Sequence, residues 1–200
     1  NVLFTFLNDS ASYLVIFLIT SFFTVEETGY YNFSRQYLFM PLSLIAIALS
    51  NVYFQRIASK VKEGVSLKEE YYTILKLLVL GGTLVSVIVY FGGTYIFQFI
   101  FGDKWTYSGV ISRVLIFGFV IKFIASPFGQ LLIVLQRLKL ALLFPGLYLI
   151  CMLVLVLFSD LEFENFLILL VALEIVSYTF YLGLSFFSLR KYESNLINPE

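Results

Sequence analysis

Five ionisable side chains lie inside long apolar runs: Asp9, Arg35, Arg113, Lys122 and Glu174. Near the centre of a membrane helix each costs about 2.5–3.5 kcal/mol, whereas a Leu, Ile, Phe or Val contributes only about −0.3 to −0.6 kcal/mol. Residues that expensive face a bundle interior or an aqueous cavity. Two chemistries follow. Basic groups in a cavity hold an anion, and Arg35 and Lys122 are the first candidates for substrate contact, with Arg113 a third. Carboxylates hold or exchange a cation, which makes Asp9 and Glu174 candidates for ion coupling. A structural ion pair between Lys122 and Glu174 is the plainer use of the same charges.

Depth and angle separate these residues. Arg35 and Arg113 each lie about 9 Å below one end of their apolar runs, within reach of snorkelling to the interface. Lys122 sits near the middle of its run. Nine positions separate it from Arg113, and at about 100° per residue the two point to opposite faces unless Gly118 bends the helix. The stripe through Lys122 (Gly118, Ser126, Gly129) is small and polar, whereas Arg113 shares a stripe with Phe117 and Val120. Glu174 continues into Ser177, Tyr178, Tyr181 and Ser185, and Asp9 lies with Thr5, Asn8 and Ser12. The second run adds Asn32, Arg35, Gln36, Ser43 and Ser50. These stripes predict a water-accessible interior to which spans one, two, four and six contribute.

Positioning those stripes requires membrane helices. Apolar residues make up 60% of the 200, charged residues 13%, and the mean hydropathy is +0.93, far from the composition of soluble domains. A helix needs about 20 apolar residues to cross a hydrocarbon core of about 30 Å. Six segments qualify: 2–24, 29–56, 72–101, 107–134, 138–158 and 166–189. Their length and continuity predict helices rather than barrel strands. The expected fold is an all-α, polytopic bundle of six transmembrane helices, with residues 1–200 forming a single lobe.

Charge orients the threading. Arg56, Lys60, Lys62, Lys68, Lys76, Arg137, Lys139, Arg190 and Lys191 fall on one side, and only Lys104 on the other. Positive charge sorts to the cytoplasm, so both ends of the segment are expected there. Tyr30, Tyr31, Trp105 and Tyr107 mark the outer interface, and Tyr53, Tyr71, Tyr72 and Tyr192 the inner one. In the polar stretch 59–72, Ser66 with Glu69 reads as a capping box that starts a helix near Ser66. Its alternating charges read as a solvated face, with lipid-headgroup contact the lesser possibility. Pro41, Pro127 and Pro145 interrupt backbone hydrogen bonds within spans. Gly81-Gly82 and Gly92-Gly93 permit close packing in span three.

Several function classes fall away. The chain has no His, which removes His-based catalysis, His metal ligands and a His pH switch. Neither a cofactor nor a metal is expected. Net charge is zero, which gives no ground for a nucleic-acid partner. The single Cys151 reads as a small buried hydrophobe. The apolar run under way at Val2 has no charged region before it and no small-residue cleavage site after it. It reads as part of a longer protein rather than a signal peptide.

The stretch Glu27-Thr-Gly29-Tyr30-Tyr31-Asn-Phe-Ser-Arg35, continuing to Pro41-Leu-Ser-Leu-Ile and Val52-Tyr-Phe-Gln-Arg56-Ile-Ala58, resembles bacterial polysaccharide and O-antigen flippases of the multidrug/oligosaccharidyl-lipid/polysaccharide exporter superfamily. Phe101-Gly102-Asp103-Lys104-Trp105 with Ser108-Gly109-Val110 gives a second match, and Ser126-Pro127-Phe-Gly129-Gln130-Leu-Leu-Ile with Gln136-Arg137 a third. The resemblance covers most of residues 27–140; spans one, five and six match only in hydropathy. It implies the C-terminal half of a protein of roughly twelve spans and two lobes, in the bacterial inner membrane. Such a protein moves a polyprenyl-pyrophosphate-linked oligosaccharide across the membrane by alternating access for surface-polysaccharide synthesis. The implied partners are the lipid-linked oligosaccharide, membrane lipid and an N-terminal lobe.

Three other classes compete. A multidrug cation exporter of the same superfamily needs an acidic cavity, whereas the five intramembrane charges sum to +1. An integral membrane enzyme of glycan assembly needs a large polar loop or a His/Asp/Glu cluster, so no enzyme activity is expected. A packing or scaffold protein does not need charges as deep as Asp9, Lys122 and Glu174.

Overall fold

The computed structural model describes residues 2–197, with side chains described for residues 6, 7 and 10–196. It is 93% helical, and no strand occurs among the described residues. The elements are α1 (Val2–Phe22), α2 (Val25–Glu63), α3 (Lys68–Phe101), α4 (Thr106–Ala125), α5 (Gly129–Val134), α6 (Leu138–Val154) and α7 (Phe163–Ile197). Among the described residues five helical stretches are long and apolar enough to cross a membrane: 25–63, 68–101, 103–134, 138–158 and 163–196. With α1 these correspond to the six expected runs. The chain is an all-α polytopic membrane bundle.

The second span begins earlier than its apolar run. Thr24 caps α2 by accepting the Glu27 N–H at 3.2 Å, and Glu27 accepts the Thr24 N–H at 2.9 Å. Both orphan donors of the first turn are thereby satisfied. At about 1.5 Å per residue, the 39 residues of α2 extend well beyond a hydrocarbon core of about 30 Å. Its end closes with Gly64 at φ 67°, the left-handed turn that glycine adopts without a Cβ penalty. Gln136 makes the same kind of turn between α5 and α6 at φ 55°.

The capping box expected at Ser66 is replaced by a longer-range one. The first residue of α3 is Lys68, near the expected start, but Leu67 at its cap position makes no side-chain cap bond. Ser66 Oγ instead donates to Glu193, 127 residues away. The Glu193 carboxylate, 6% exposed, also accepts the Leu67 N–H at 2.7 Å. Glu69 lies 4.0 Å from Lys60 instead.

The prolines do not act alike. Helices α2 and α6 run on through Pro41 and Pro145. At Pro127 span four changes to a 3-10 turn over Ser126–Phe128 before resuming as α5.

Helix α4 is the centre of the bundle: 61% of its span is buried, against 17% for α3. Small residues bring its neighbours close. A β-carbon on Gly109 would lie 2.6 Å from the Thr94 Cα, and one on Gly93 2.6 Å from Ser112 Oγ. Gly82 also packs on α4, against Val120, whereas Gly81 faces open space and Gly92 meets only Ile96 of its own helix. Only half of the expected glycine pairs thus serve packing. Ser34 Oγ donates to the Ser108 carbonyl at 2.8 Å, and Ser108 Oγ to the Tyr30 carbonyl at 3.1 Å, stitching α2 to α4.

The connections gather at two ends. At one, Tyr192 donates to the Val65 carbonyl at 3.1 Å, so the start of the basic tail meets the basic α2–α3 loop. At the other, Tyr107 donates to Glu164 at 3.0 Å and the Phe33 ring stacks on Trp105 at 3.6 Å.

Candidate functional site

Helix α2 presents Tyr31, Arg35 and Phe39 at intervals of four, one stripe of a helix. The Ser34–Ser108 stitch beside Arg35 fixes this stripe against α4. From α4 come Phe119 and Lys122, from α7 Glu174, from α6 Tyr148, and from α1 Ser12 and Val15. These nine side chains line one small, partly open cavity of about 20 Å³. That is room for about one water molecule.

Within it, Tyr148 donates to Glu174 Oε1 at 3.4 Å. The Glu174 carboxylate rests on Gly118 of α4, where the missing side chain makes its seat. Lys122 and Arg35 line this cavity with Glu174. Lys122 Nζ also lies 5.0 Å from the Phe39 ring and 5.9 Å from that of Tyr178. Such cation–π contacts are worth about 0.5–2 kcal/mol. Among the described residues two cations and one carboxylate thus share this small space.

Arg35 and Phe39 line a second space as well. It is an open groove of about 450 Å³ along α2, lined by Asn32, Arg35, Gln36, Phe39, Met40 and Ser43. The Arg35 side chain is half-buried and makes no hydrogen bond or ion pair with another described residue. With two amides, a hydroxyl and a guanidinium, the groove offers donors for an anion or a polyol. A separate groove on α3, lined by Tyr95, Ile96, Gln98 and Phe99, carries no charge.

The structure thus brings Arg35, Lys122 and Glu174 together. Arg113 stays apart: it is half-buried, its Nε is enclosed without a hydrogen-bond partner, and it does not line the cavity. The nine-residue offset from Lys122 accounts for that, since α4 continues through Gly118. The side chain of Asp9 lies outside the described residues, as do those of Thr5 and Asn8. Ser50 does not join the groove; its hydroxyl is buried and donates to the Ala46 carbonyl at 2.6 Å. Ser177 likewise donates to its own helix, at Leu173. Gly129 packs against the Tyr181 hydroxyl, so the small stripe of span four serves close helix contact as well as the cavity.

Span five also contributes, through Tyr148. Its signal was available: Tyr148 is the one hydroxyl within the apolar run 138–158 and stands at its centre. Tyr31 and Phe39 follow from the spacing of four about Arg35. Spans one, two, four and six, from which a water-accessible interior is expected, line this small cavity together, with span five added through Tyr148.

Among the described residues no group of three His, Cys, Asp or Glu side chains is placed to hold a metal ion. Comparison with known proteins gives a family model described as polysaccharide biosynthesis protein, which matches residues 1–110. No curated protein and no solved structure matches the chain.

Proposed function

The chain belongs to the polysaccharide biosynthesis protein family, and from that premise we propose that it is one lobe of a flippase for a polyprenyl-pyrophosphate-linked oligosaccharide. The lobe sits in the bacterial cell membrane with both ends of the segment in the cytoplasm, a reading that its nine basic residues on one side support. A second lobe completes the groove on α2, and alternating access carries the glycan headgroup to the outer leaflet for O-antigen, capsule or exopolysaccharide assembly. The lipid tail remains in the bilayer. On this reading the protein is a transporter.

The observation that supports this reading is the convergence of Arg35, Lys122 and Glu174 at a small cavity that shares Arg35 and Phe39 with an open groove. Arg35 contacts the pyrophosphate from the groove, with Lys122 behind it adding positive potential; guanidinium groups suit phosphate through paired N–H donors. Asn32 and Gln36 donate to sugar hydroxyls. Glu174, with Asp9 on α1, is the candidate site of ion coupling. Arg113 contributes positive charge towards the outer end only. A cation exporter would be served by an acidic cavity, and here two cations face one carboxylate.

The test is complementation of a bacterial mutant that lacks its surface-polysaccharide flippase, with expression checked in the membrane. Arg35→Ala and Lys122→Ala of the complete protein are each expected to lower polysaccharide export at least tenfold. Full export by both variants overturns the site, and failure of the wild-type protein to restore export of any lipid-linked glycan overturns the function.

A further inference from the structure

Arg35 belongs to two places at once. Its side chain lines the open groove with Asn32 and Gln36, and also the small cavity with Glu174 and Lys122. It makes no hydrogen bond or ion pair with another described residue, yet it shares that cavity with the Glu174 carboxylate. An arginine side chain has several rotatable bonds, so one guanidinium can serve an anion in the groove or the carboxylate in the cavity but not both. The Glu174 carboxylate, in contrast, is held. It rests on Gly118 and accepts from Tyr148 at 3.4 Å. A fixed anion on one side and an open, donor-lined groove on the other make a competition for a single cation.

Resting on the flippase reading, we propose that Glu174 is a built-in competitor of the substrate anion: it draws Arg35 towards the small cavity until a pyrophosphate in the groove takes the guanidinium away. When Arg35 leaves, Lys122 remains as the neighbouring cation of Glu174, so the carboxylate is never left without an opposing charge. The competition sets affinity below its maximum, which suits a carrier that must release its cargo. A ligand can shift the Arg35 position only by its differential interaction with the two states. Removing Glu174's charge therefore removes one of those states from the balance.

The test is a double-mutant cycle on the full protein purified in detergent, titrated calorimetrically with geranylgeranyl pyrophosphate as probe. Glu174→Gln is expected to tighten binding three- to tenfold and Arg35→Ala to weaken it at least tenfold. In the double variant Glu174→Gln is expected to add nothing. Glu174→Asp, which keeps the charge, is expected to bind within twofold of wild type. If Glu174→Gln does not hold the fold, Glu174→Met removes the charge at similar length and is read by the same criterion. Unchanged or weaker binding by the neutral variant, with Arg35→Ala still impaired, overturns the competition but leaves the flippase site standing. Tightening that persists without Arg35 also overturns it. Absence of saturable binding by the wild-type protein, or binding indifferent to Arg35, overturns the pyrophosphate site itself and the competition with it.

Discussion

The Glu174 carboxylate occupies the space on α4 into which a β-carbon at Gly118 would project. The contact couples a backbone position to the one acidic group that lines the cavity among the described residues. Gly118→Ala should therefore displace the carboxylate and lower polysaccharide export severalfold, with the helical content by circular dichroism unchanged. Shortening the acid restores room, so the Gly118→Ala, Glu174→Asp pair should export more than Gly118→Ala alone. Equal export by the single variant and wild type would show that the seat is unimportant.

Two changes in α6 separate packing from hydrogen bonding. The Phe144 ring is 2% exposed and lies 4.3 Å from the Tyr181 ring and 5.0 Å from that of Tyr178. Phe144→Ala should lose the packing share of the about 3–5 kcal/mol seen for such truncations in soluble cores. Tyr148→Phe removes only a 3.4 Å bond, and should cost no more than the low end of about 0.5–1.5 kcal/mol. Thermal unfolding in detergent should rank Phe144→Ala far below Tyr148→Phe.

Glycines of α3 and α4 should divide by what lies in front of them. Gly109→Ala drives a methyl group into backbone, 2.6 Å from the Thr94 Cα and 2.8 Å from the Gly93 oxygen. Neither can yield without moving α3, so a loss of about 1–3 kcal/mol is expected. Gly81 has nothing within 4 Å. Gly81→Ala should be neutral or stabilising by up to about 1 kcal/mol, through helix propensity. A melting temperature that falls equally for both would refute the close α3–α4 approach.

Glu193→Ala should uncouple the start of α3 from α7. It strips the partner from Ser66 Oγ and from the Leu67 N–H, at about 1–3 kcal/mol for a buried donor left unmet. Hydrogen exchange at the Leu67 amide should rise by an order of magnitude or more, while amides near Leu115 in α4 stay protected.

That carboxylate also marks a limit of reading along the chain. The pattern Ser66-x-x-Glu69 has every local mark of a capping box, and the helix does start beside it. Yet Glu193 fills the place, because a buried acid on a packed helix is held at the amide whereas an exposed Glu69 is free to turn to Lys60. The same pattern at Thr24-x-x-Glu27 does form, but it lies outside the apolar run that begins at Gly29. Hydropathy located the helices because lipid demands it; polar helix ends obey different forces. The cavity shows the same division. Arg35, Lys122 and Glu174 announce themselves by cost, and their stripes place them. Tyr148 carries no charge and costs little in a span, so its lone hydroxyl marks it in the sequence but its partner, Glu174, follows only from the approach of α6 to α7.

The bond between Leu67 and Glu193 also bears on how the protein is made. The two residues lie 126 positions apart, so α3 leaves the ribosome long before its capping acid exists. During that interval the first turn of α3 waits with an unmet amide at the membrane edge. Arrival of the closing helix satisfies it, and a nascent chain stalled before residue 193 would keep that turn open as a mark of unfinished assembly.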